Sequence, residues 1–340
     1  MIEGLRIDQK FAHENLLGAL QITQSTPFGL WLIKQIAQVN GYQKTLHPVK
    51  VGSLTFDHPI ILAEGFDKNG TVIPAMLMGL GFSAVITGTV TEFEQQKNSN
   101  AFIKRLPGGS ILNNIGFANK GADFVATKIE EVRKNFDMRQ LIGVSVGMNR
   151  WIEPIDAPGA HARVTKRLNG LVDFFVLNVT SPNTKNLRNN LSYSQLSRIV
   201  EATKTKLNKK DLYVKLSPDM TKKQVDDFLQ VCREQEVTGV VATNTSIDPE
   251  LRREAGVDPL GPGGLSGTII RDLVLNKIRY VHSQAPELWI IAEGGIDSPT
   301  AARNILNVGA SLLGIYTPLI FKGPSFPSYL AKEAACMKGE

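Results

Sequence analysis

Apolar residues along most of this chain follow two rhythms. Short continuous runs recur at Pro59–Glu64, Ala84–Thr87, Ile142–Ser145, Phe174–Asn178, Tyr213–Leu216, Gly239–Thr243, Trp289–Ala292 and Leu312–Ile315, each ending in small or polar residues. A run without alternation suits a strand covered on both faces, as in a parallel sheet. Between most of these runs the apolar positions fall three and four apart, for example in Tyr193–Lys206, Lys222–Glu234, Ile269–His282 and Thr300–Val308, which reads as amphipathic helix. Strands alternating with helices in this way predict an α/β fold, a (β/α)8 TIM barrel. A doubly wound open sheet is the lesser alternative. The connection from Val90 to about Arg139 is too long for a plain loop, and it is expected to carry hairpins or helices over the site.

The first stretch has a different pattern and divides the chain into an extension, residues 1–45, and the barrel, residues 46–340. Phe11 to Ile22 and Phe28 to Val39 read as two short amphipathic helices, parted by Ser25-Thr26-Pro27, a helix-start signal. Phe28, Leu32, Ile36 and Val39 share one face, and Trp31 and Ile33 widen it. Two readings stay open for this pair. The helices pack on the barrel, or their surplus apolar surface dips into a membrane interface or forms a tunnel for a lipid-like partner.

Composition narrows the classes of partner. A length of 340 residues accommodates one barrel with an appendage. A net charge of +6 and a pI near 9.2 suit an anionic ligand or an acidic membrane surface, and do not single out nucleic acid. The two cysteines, Cys232 and Cys336, lie in helical patterns with no metal-ligand spacing, so neither a disulfide framework nor a metal is expected, and a reducing compartment is. No apolar run reaches the length of a bilayer span, and Met1 to Lys10 carries no secretory signal.

Chemistry in a barrel gathers where strands end. The junctions here are rich in Gly, Asn, Thr, Ser and Lys, with few carboxylates and none of the five histidines. That set disfavours a Ser-His-Asp nucleophile, a histidine zinc site and a paired-carboxylate glycosidase. It suits a planar, amide-rich ligand held by hydrogen bonds while a cofactor supplies the harder chemistry. After Phe174–Leu177, Asn178 and Asn183 offer amides and Ser181 a hydroxyl, although the same residues serve equally well to cap a loop. Gly263-Gly264-Leu265-Ser266-Gly267, Gly294-Gly295 and Tyr316-Thr317 are placed to cradle a phosphate with backbone N–H groups. Lys215 sits inside an apolar strand. It points either into the barrel or out beneath a helix, and it must be paired or neutralised. A Schiff-base role and a fixed charge beside a reduced flavin are both open. Lys68 suits a ligand carboxylate, or else pairs with Asp67.

These junctions carry a resemblance. Ala63-x-Gly65-Phe66-Asp67-Lys68-Asn69-Gly70, Asn178-Val179-Thr180-Ser181-Pro182-Asn183-Thr184, Val214-Lys215-Leu216-Ser217-Pro218-Asp219, Ala242-Thr243-Asn244-Thr245, Gly263-Gly264-Leu265-Ser266-Gly267 and Gly294-Gly295-Ile296-Asp297-Ser298 resemble the dihydroorotate dehydrogenase family, in order and in spacing. The leading helices, with Phe11-Ala12-His13-Glu14, are similar to those of its quinone-dependent, membrane-associated class. The resemblance implies an FMN enzyme of pyrimidine biosynthesis, peripheral on the inner, cytoplasmic face of the cell membrane, that oxidises dihydroorotate to orotate and reduces a quinone. It implies Ser181 as catalytic base, with Lys68, Asn113, Asn178, Asn183 and Asn244 holding the substrate. Ala63, Gly65, Lys68, Thr89, Ser145, Asn178, Lys215 and Thr243 would contact the flavin; Gly267, Gly295, Tyr316 and Thr317 its phosphate; His13 and Arg105 would line the quinone route.

Several positions depart from the family pattern. Glu64 stands in place of a small residue, Glu293 in place of an apolar one, Ser145 for an asparagine and Met148 for a lysine; Asn114, Ala118 and the segment Glu92 to Ile103 also differ. Added carboxylates weaken the binding of an anion unless they are paired or turned away. A relative that keeps FMN but acts on another cyclic amide or acid is therefore the alternative function. A barrel retained as a membrane-surface interaction protein is a third.

Overall fold

The computed structural model describes residues 9–26, 28, 29, 31, 32, 35, 47–183 and 191–336. A hairpin of β1 (Val49–Val51) and β2 (Leu54–Phe56) leads into β3 (Ile60–Leu62) and β4 (Ala84–Val90). An insertion follows with β5 (Ile103–Leu106) and β6 (Ser110–Asn113), and then β7 (Leu141–Val146), β8 (Phe174–Leu177), β9 (Asp211–Leu216) and β10 (Gly239–Ala242). The last strands are β11 (Gly264–Gly267), β12 (Trp289–Glu293) and β13 (Leu312–Ile315), followed by helices Thr317–Lys322 and Phe326–Cys336. Eight of these strands close into a barrel in the order β3-β4-β7-β8-β9-β10-β12-β13, all neighbours parallel. Pairing of β13 with β3 closes the ring and excludes the open sheet. The strand positions follow the apolar runs, each shifted by a few residues at most.

The helices begin where local chemistry starts them. Residues Lys222–Glu234 form a helix as the periodicity predicts. Thr221 accepts from the Gln224 N–H at 3.3 Å, and the Gln224 side chain accepts from the Thr221 N–H at 2.9 Å, a reciprocal cap. The insertion carries the expected hairpin, β5 with β6, and a helix at Ala122–Asn135. Strand β11 pairs antiparallel with β6, Leu265 opposite Leu112, so most of the glycine-rich run from Gly263 to Gly267 forms the third strand of a small sheet. With only Leu265 and Ser266 bearing side chains there, its backbone packs close to the insertion.

Alternation within each barrel strand produces two separate cores. Val85, Val144, Phe175, Leu177, Val214 and Val240 join helix residues in the outer core. Ile61, Ile86, Phe174, Val176, Tyr213, Val241, Ile291 and Leu312 pack around the barrel axis, and Val51 and Phe56 of the leading hairpin plug the bottom. Successive side chains of a strand point to opposite faces, so a parallel barrel must be apolar on both.

Helix Gln9–Gln24 lies against the barrel. Gln24 donates to Thr71 O at 2.5 Å and accepts from the Ala75 N–H at 3.2 Å. Much of the second helix expected from Phe28 to Val39, including Ile33, Ile36 and Val39, falls outside the described residues. Of those that are described, Phe28 is 70% and Trp31 54% exposed, their rings stacked with centroids 5.7 Å apart.

Two histidines are folded in the neutral state. His58 accepts from the Ile60 N–H at Nδ1 and bonds Gly81 O through Nε2, and His161 Nδ1 bonds Ala157 O at 2.7 Å. Burial pushes both down to about 4, against the weaker upward pull of those carbonyls. Above pH 6.5 neither folded nor unfolded chain protonates them; between pH 6.5 and 4 only the unfolded chain does. Stability should therefore fall as pH drops through that window, by up to about 3 kcal/mol per histidine. Thermal melting from pH 7.5 to 4 checks this, and His161→Phe should flatten part of the decline.

Candidate functional site

The inward rhythm of the barrel continues past its apolar layers and delivers polar side chains to the carboxyl end. Beyond Val176 the next inward residue is Asn178; beyond Tyr213 it is Lys215; beyond Val241, Thr243; beyond Ile291, Glu293; beyond Leu312, Gly314. The choice left open for Lys215 is thereby decided, and it points into the barrel. These residues floor a cavity of about 420 Å³ at the barrel mouth, within the range of small-molecule sites. The insertion covers it through Asn113, Ile115 and Phe117, and Leu17 of the N-terminal helix reaches its wall.

One side of the cavity is lined by two hydrogen-bonded groups of amides and hydroxyls. Asn178 Nδ2 donates to Thr89 Oγ1 at 2.9 Å, and Thr89 Oγ1 lies 3.0 Å from Ser145 Oγ. Asn244 Nδ2 donates to Asn178 Oδ1 at 3.0 Å, and Asn183 Nδ2 bonds the carbonyl and side-chain oxygens of Asn113 at 3.2 and 3.3 Å. Ser181 Oγ accepts from the Asn183 N–H at 3.3 Å and is 5% exposed. Asn183 Oδ1 is buried with no partner among the described residues, so it calls for a donor from whatever the cavity holds.

The floor is ionic. Lys215 Nζ lies 2.6 Å from Glu64 Oε1 and 2.5 Å from Glu293 Oε2. Glu293 needs room to turn inward, and it finds it over Gly314, where a Cβ would sit 2.8 Å from Glu293 Cγ. The added carboxylates of the sequence are thus paired. Burial works against charge on all three groups, but the two carboxyls outweigh it and hold Lys215 above its ordinary value. Burial also opposes ionisation of Glu64, yet the Lys215 charge and hydrogen bonds from Glu293 and Lys215 bring it below the usual carboxylate range. Burial first, and then the Glu64 charge, push Glu293 well up. Of the two carboxyls, Glu64 is thus the one that favours ionisation beside Lys215 and Glu293 the one that favours its proton.

Asp67 does not pair with Lys68. Its Oδ1 accepts from the N–H groups of Asn69 and Thr71, and its Oδ2 from Val72 N–H at 2.8 Å, so it ties the loop after β3. Lys68 turns to Gly116 O at 2.7 Å beside the cavity. Burial, and then the nearby Lys97 charge, lower it to about 8. Lys97 enters the wall from the insertion, a contribution with no local signal in the sequence.

The far side is built from Gly294, Gly295, Ser266, Tyr316 and Thr317. Gly295 has φ +72°, and a Cβ there would lie 2.7 Å from Arg271 Cα, so only glycine brings the backbone this close. Of the residues singled out in the sequence, Ala63, Gly65, Lys68, Thr89, Asn113, Asn178, Ser181, Asn183, Lys215, Thr243, Asn244, Gly295, Tyr316 and Thr317 all line this one cavity. Ser145 and Gly267 do not line it: Ser145 meets Thr89 of the wall at 3.0 Å, and a Cβ on Gly267 would lie 3.0 Å from Thr317 Cγ2. Arg105 lies to one side, donating to Ile320 O at 3.2 Å with its guanidinium over the Phe321 ring. His13 is in the N-terminal helix, its side chain outside what is described.

Fold and cavity together define a TIM-barrel protein with a cavity at the carboxyl ends of its strands. A family model for dihydroorotate dehydrogenase matches residues 47–336, and the chain belongs to that family. It is 32% identical to a dihydroorotate dehydrogenase (quinone) of Synechococcus sp. (strain JA-3-3Ab), over 99% of this chain and 91% of the relative. Identity is 30% to that of Thermobifida fusca (strain YX), over 98% and 89%. A crystal structure of DHODH from Eimeria tenella in complex with ferulenol superposes with a TM-score of 0.84 at 27% identity, covering 98% of this chain and 92% of that one.

Removing only the cation from the floor should cost more than removing all three charges. Lys215→Met leaves buried carboxylate uncompensated and is expected to lose about 3–5 kcal/mol. The triple variant Glu64→Ala, Lys215→Met, Glu293→Val should recover much of that loss. Urea denaturation of the two variants beside the parent chain measures the difference.

Proposed function

We propose that this protein oxidises dihydroorotate to orotate with FMN as resident cofactor and passes the electrons to a membrane quinone. The observation that carries this reading is two hydrogen-bonded amide pairs, Asn113 with Asn183 and Asn178 with Asn244, lining one cavity with the hydroxyl of Ser181. A cyclic diamide carrying a carboxylate matches it group for group: amides face ring N–H and C=O, and Lys68 faces the carboxylate.

The residues present fit FMN. Glu64 Oε2 and Glu293 Oε1 are buried without partners among the described residues, and they would accept from a ring N–H above them. Thr89, Lys215 and Thr243 border the same space, and Gly295, Tyr316 and Thr317 offer backbone at the end suited to a phosphate, with Gly267 behind. Bound FMN would supply hydride acceptance, chemistry no side chain here offers. Ser181 takes the proton from ring carbon C5 of the substrate. Serine is a weak base whose own proton must first leave to solvent: the Asn183 N–H on Oγ favours the resulting alkoxide, burial opposes that charge while it excludes water, and the alkoxide returns to a neutral hydroxyl as it takes the substrate proton.

The N-terminal segment supports the quinone part of the reading. Leu17 borders the cavity, while Ile22, Phe28 and Trp31 expose apolar surface beyond it. Among the described residues no helix is long and apolar enough to cross a membrane, so this surface would lie on the interface. Lys97, a second cation beside Lys68, favours one alternative, a flavoenzyme for a more acidic cyclic substrate.

Anaerobic addition of dihydroorotate to the purified protein tests the proposal. The flavin absorbance should bleach, and Ser181→Ala should slow bleaching roughly a hundredfold or more with flavin still bound. A persistent yellow spectrum in the parent chain would favour the alternative substrate. A Lys68 near 8 is charged below that pH and neutral above it, so orotate affinity should fall from pH 7 to 9. Titration calorimetry across that range, with Lys68→Met showing no such fall, checks the assignment.

A further inference from the structure

The ionic floor of the cavity is more elaborate than neutralising a lysine requires. One carboxylate would balance one ammonium, yet two carboxyls contact Lys215, from β12 and from the turn after β3. The three side chains are 6%, 4% and 7% exposed, so water contributes little. Two carboxyls that meet on one ammonium oppose each other's charge, and the opposition falls on Glu293, which burial and Glu64 push up while Lys215 holds Glu64 down. A proton kept on Glu293 leaves the cluster neutral as a whole. It carries a spare acid that can ionise if its neighbour is lost.

A lone ammonium under a ring that gains negative charge on reduction favours the reduced state strongly. The same ammonium balanced by a carboxylate favours it far less. We propose that Glu64 and Glu293 are interchangeable positioning residues that keep the Lys215 charge balanced and thereby lower the reduction potential of the flavin above it. The assignment rests on the flavin reading of the cavity. It explains the pairing of two acids on one base: either acid alone suffices, and the charge balance survives loss of one.

The prediction is non-additive. In the purified flavin-loaded protein, Glu64→Gln and Glu293→Gln should each change the relative affinity for reduced over oxidised flavin less than twofold. In Glu64→Gln, Glu293 ionises in place of Glu64; in Glu293→Gln, Glu64 is already ionised. The double variant exposes the cation and should raise that ratio at least tenfold, ~30 mV for a two-electron couple. Dye-equilibrated potentiometry reads it directly, and a purely structural role would not move it. If the double glutamine variant fails to hold flavin, Glu64→Ala with Glu293→Val, which leaves no unpaired amide, is measured instead and carries the same expectation. A double-variant potential within twofold of the parent, or single variants that shift as far as the double, would overturn the proposal while leaving the flavin reading intact. A colourless parent protein would defeat both.

Discussion

A strand in a closed barrel sends every second side chain to the axis, and the axis has room for few atoms. That constraint organises this protein. Apolar layers fill the lower barrel until Val176, Tyr213, Ile291 and Leu312 have been placed. The next inward positions are Asn178, Lys215, Glu293 and Gly314, and they cannot be apolar filler without closing the cavity. Charge enters the barrel only as a set: a lysine there without the carboxyls, or the carboxyls without the lysine, would be buried unpaired. Gly314 belongs to this set as well, because its missing side chain is the space Glu293 occupies.

The cavity has a division of labour that follows from its walls. Rigid strand ends provide the amides and the ionic floor. The insertion brings Asn113 and Lys97, and the N-terminal helix brings Leu17. Substrate-like polarity is thus concentrated on one side and apolar surface at the entrance. The Thr89–Ser145 contact shows how a departure from the family pattern is absorbed: a hydroxyl stands behind Thr89 and supports the oxygen that accepts from Asn178. Asp67 holds the loop carrying Lys68 through backbone bonds, and this leaves the lysine available to the cavity.

Much of this was legible in the chain. Unbroken apolar runs identify strands covered on both faces, and the helix at Lys222–Glu234 is announced by its Thr221 cap and apolar spacing. Most residues that line the cavity were legible through the family motifs at the strand ends, because polar residues there suit a loop cap equally well until a motif singles them out. Strand β11 was not legible, because its partner strand comes from an insertion some 150 residues away in sequence, as the Gly264–Asn113 pairing records.

The sequence by itself determined which segments become strands and helices, and which residue types collect at the strand ends, because both follow from local periodicity and from the need to cover apolar surface. Tertiary structure alone decided that Lys215 points inward, that Glu64 and Glu293 converge on it, and that Lys97 and Leu17 share the same cavity. The physical reason is closure. Ring order and strand register bring together residues separated by 78 and 151 positions, and no local pattern encodes such a distance.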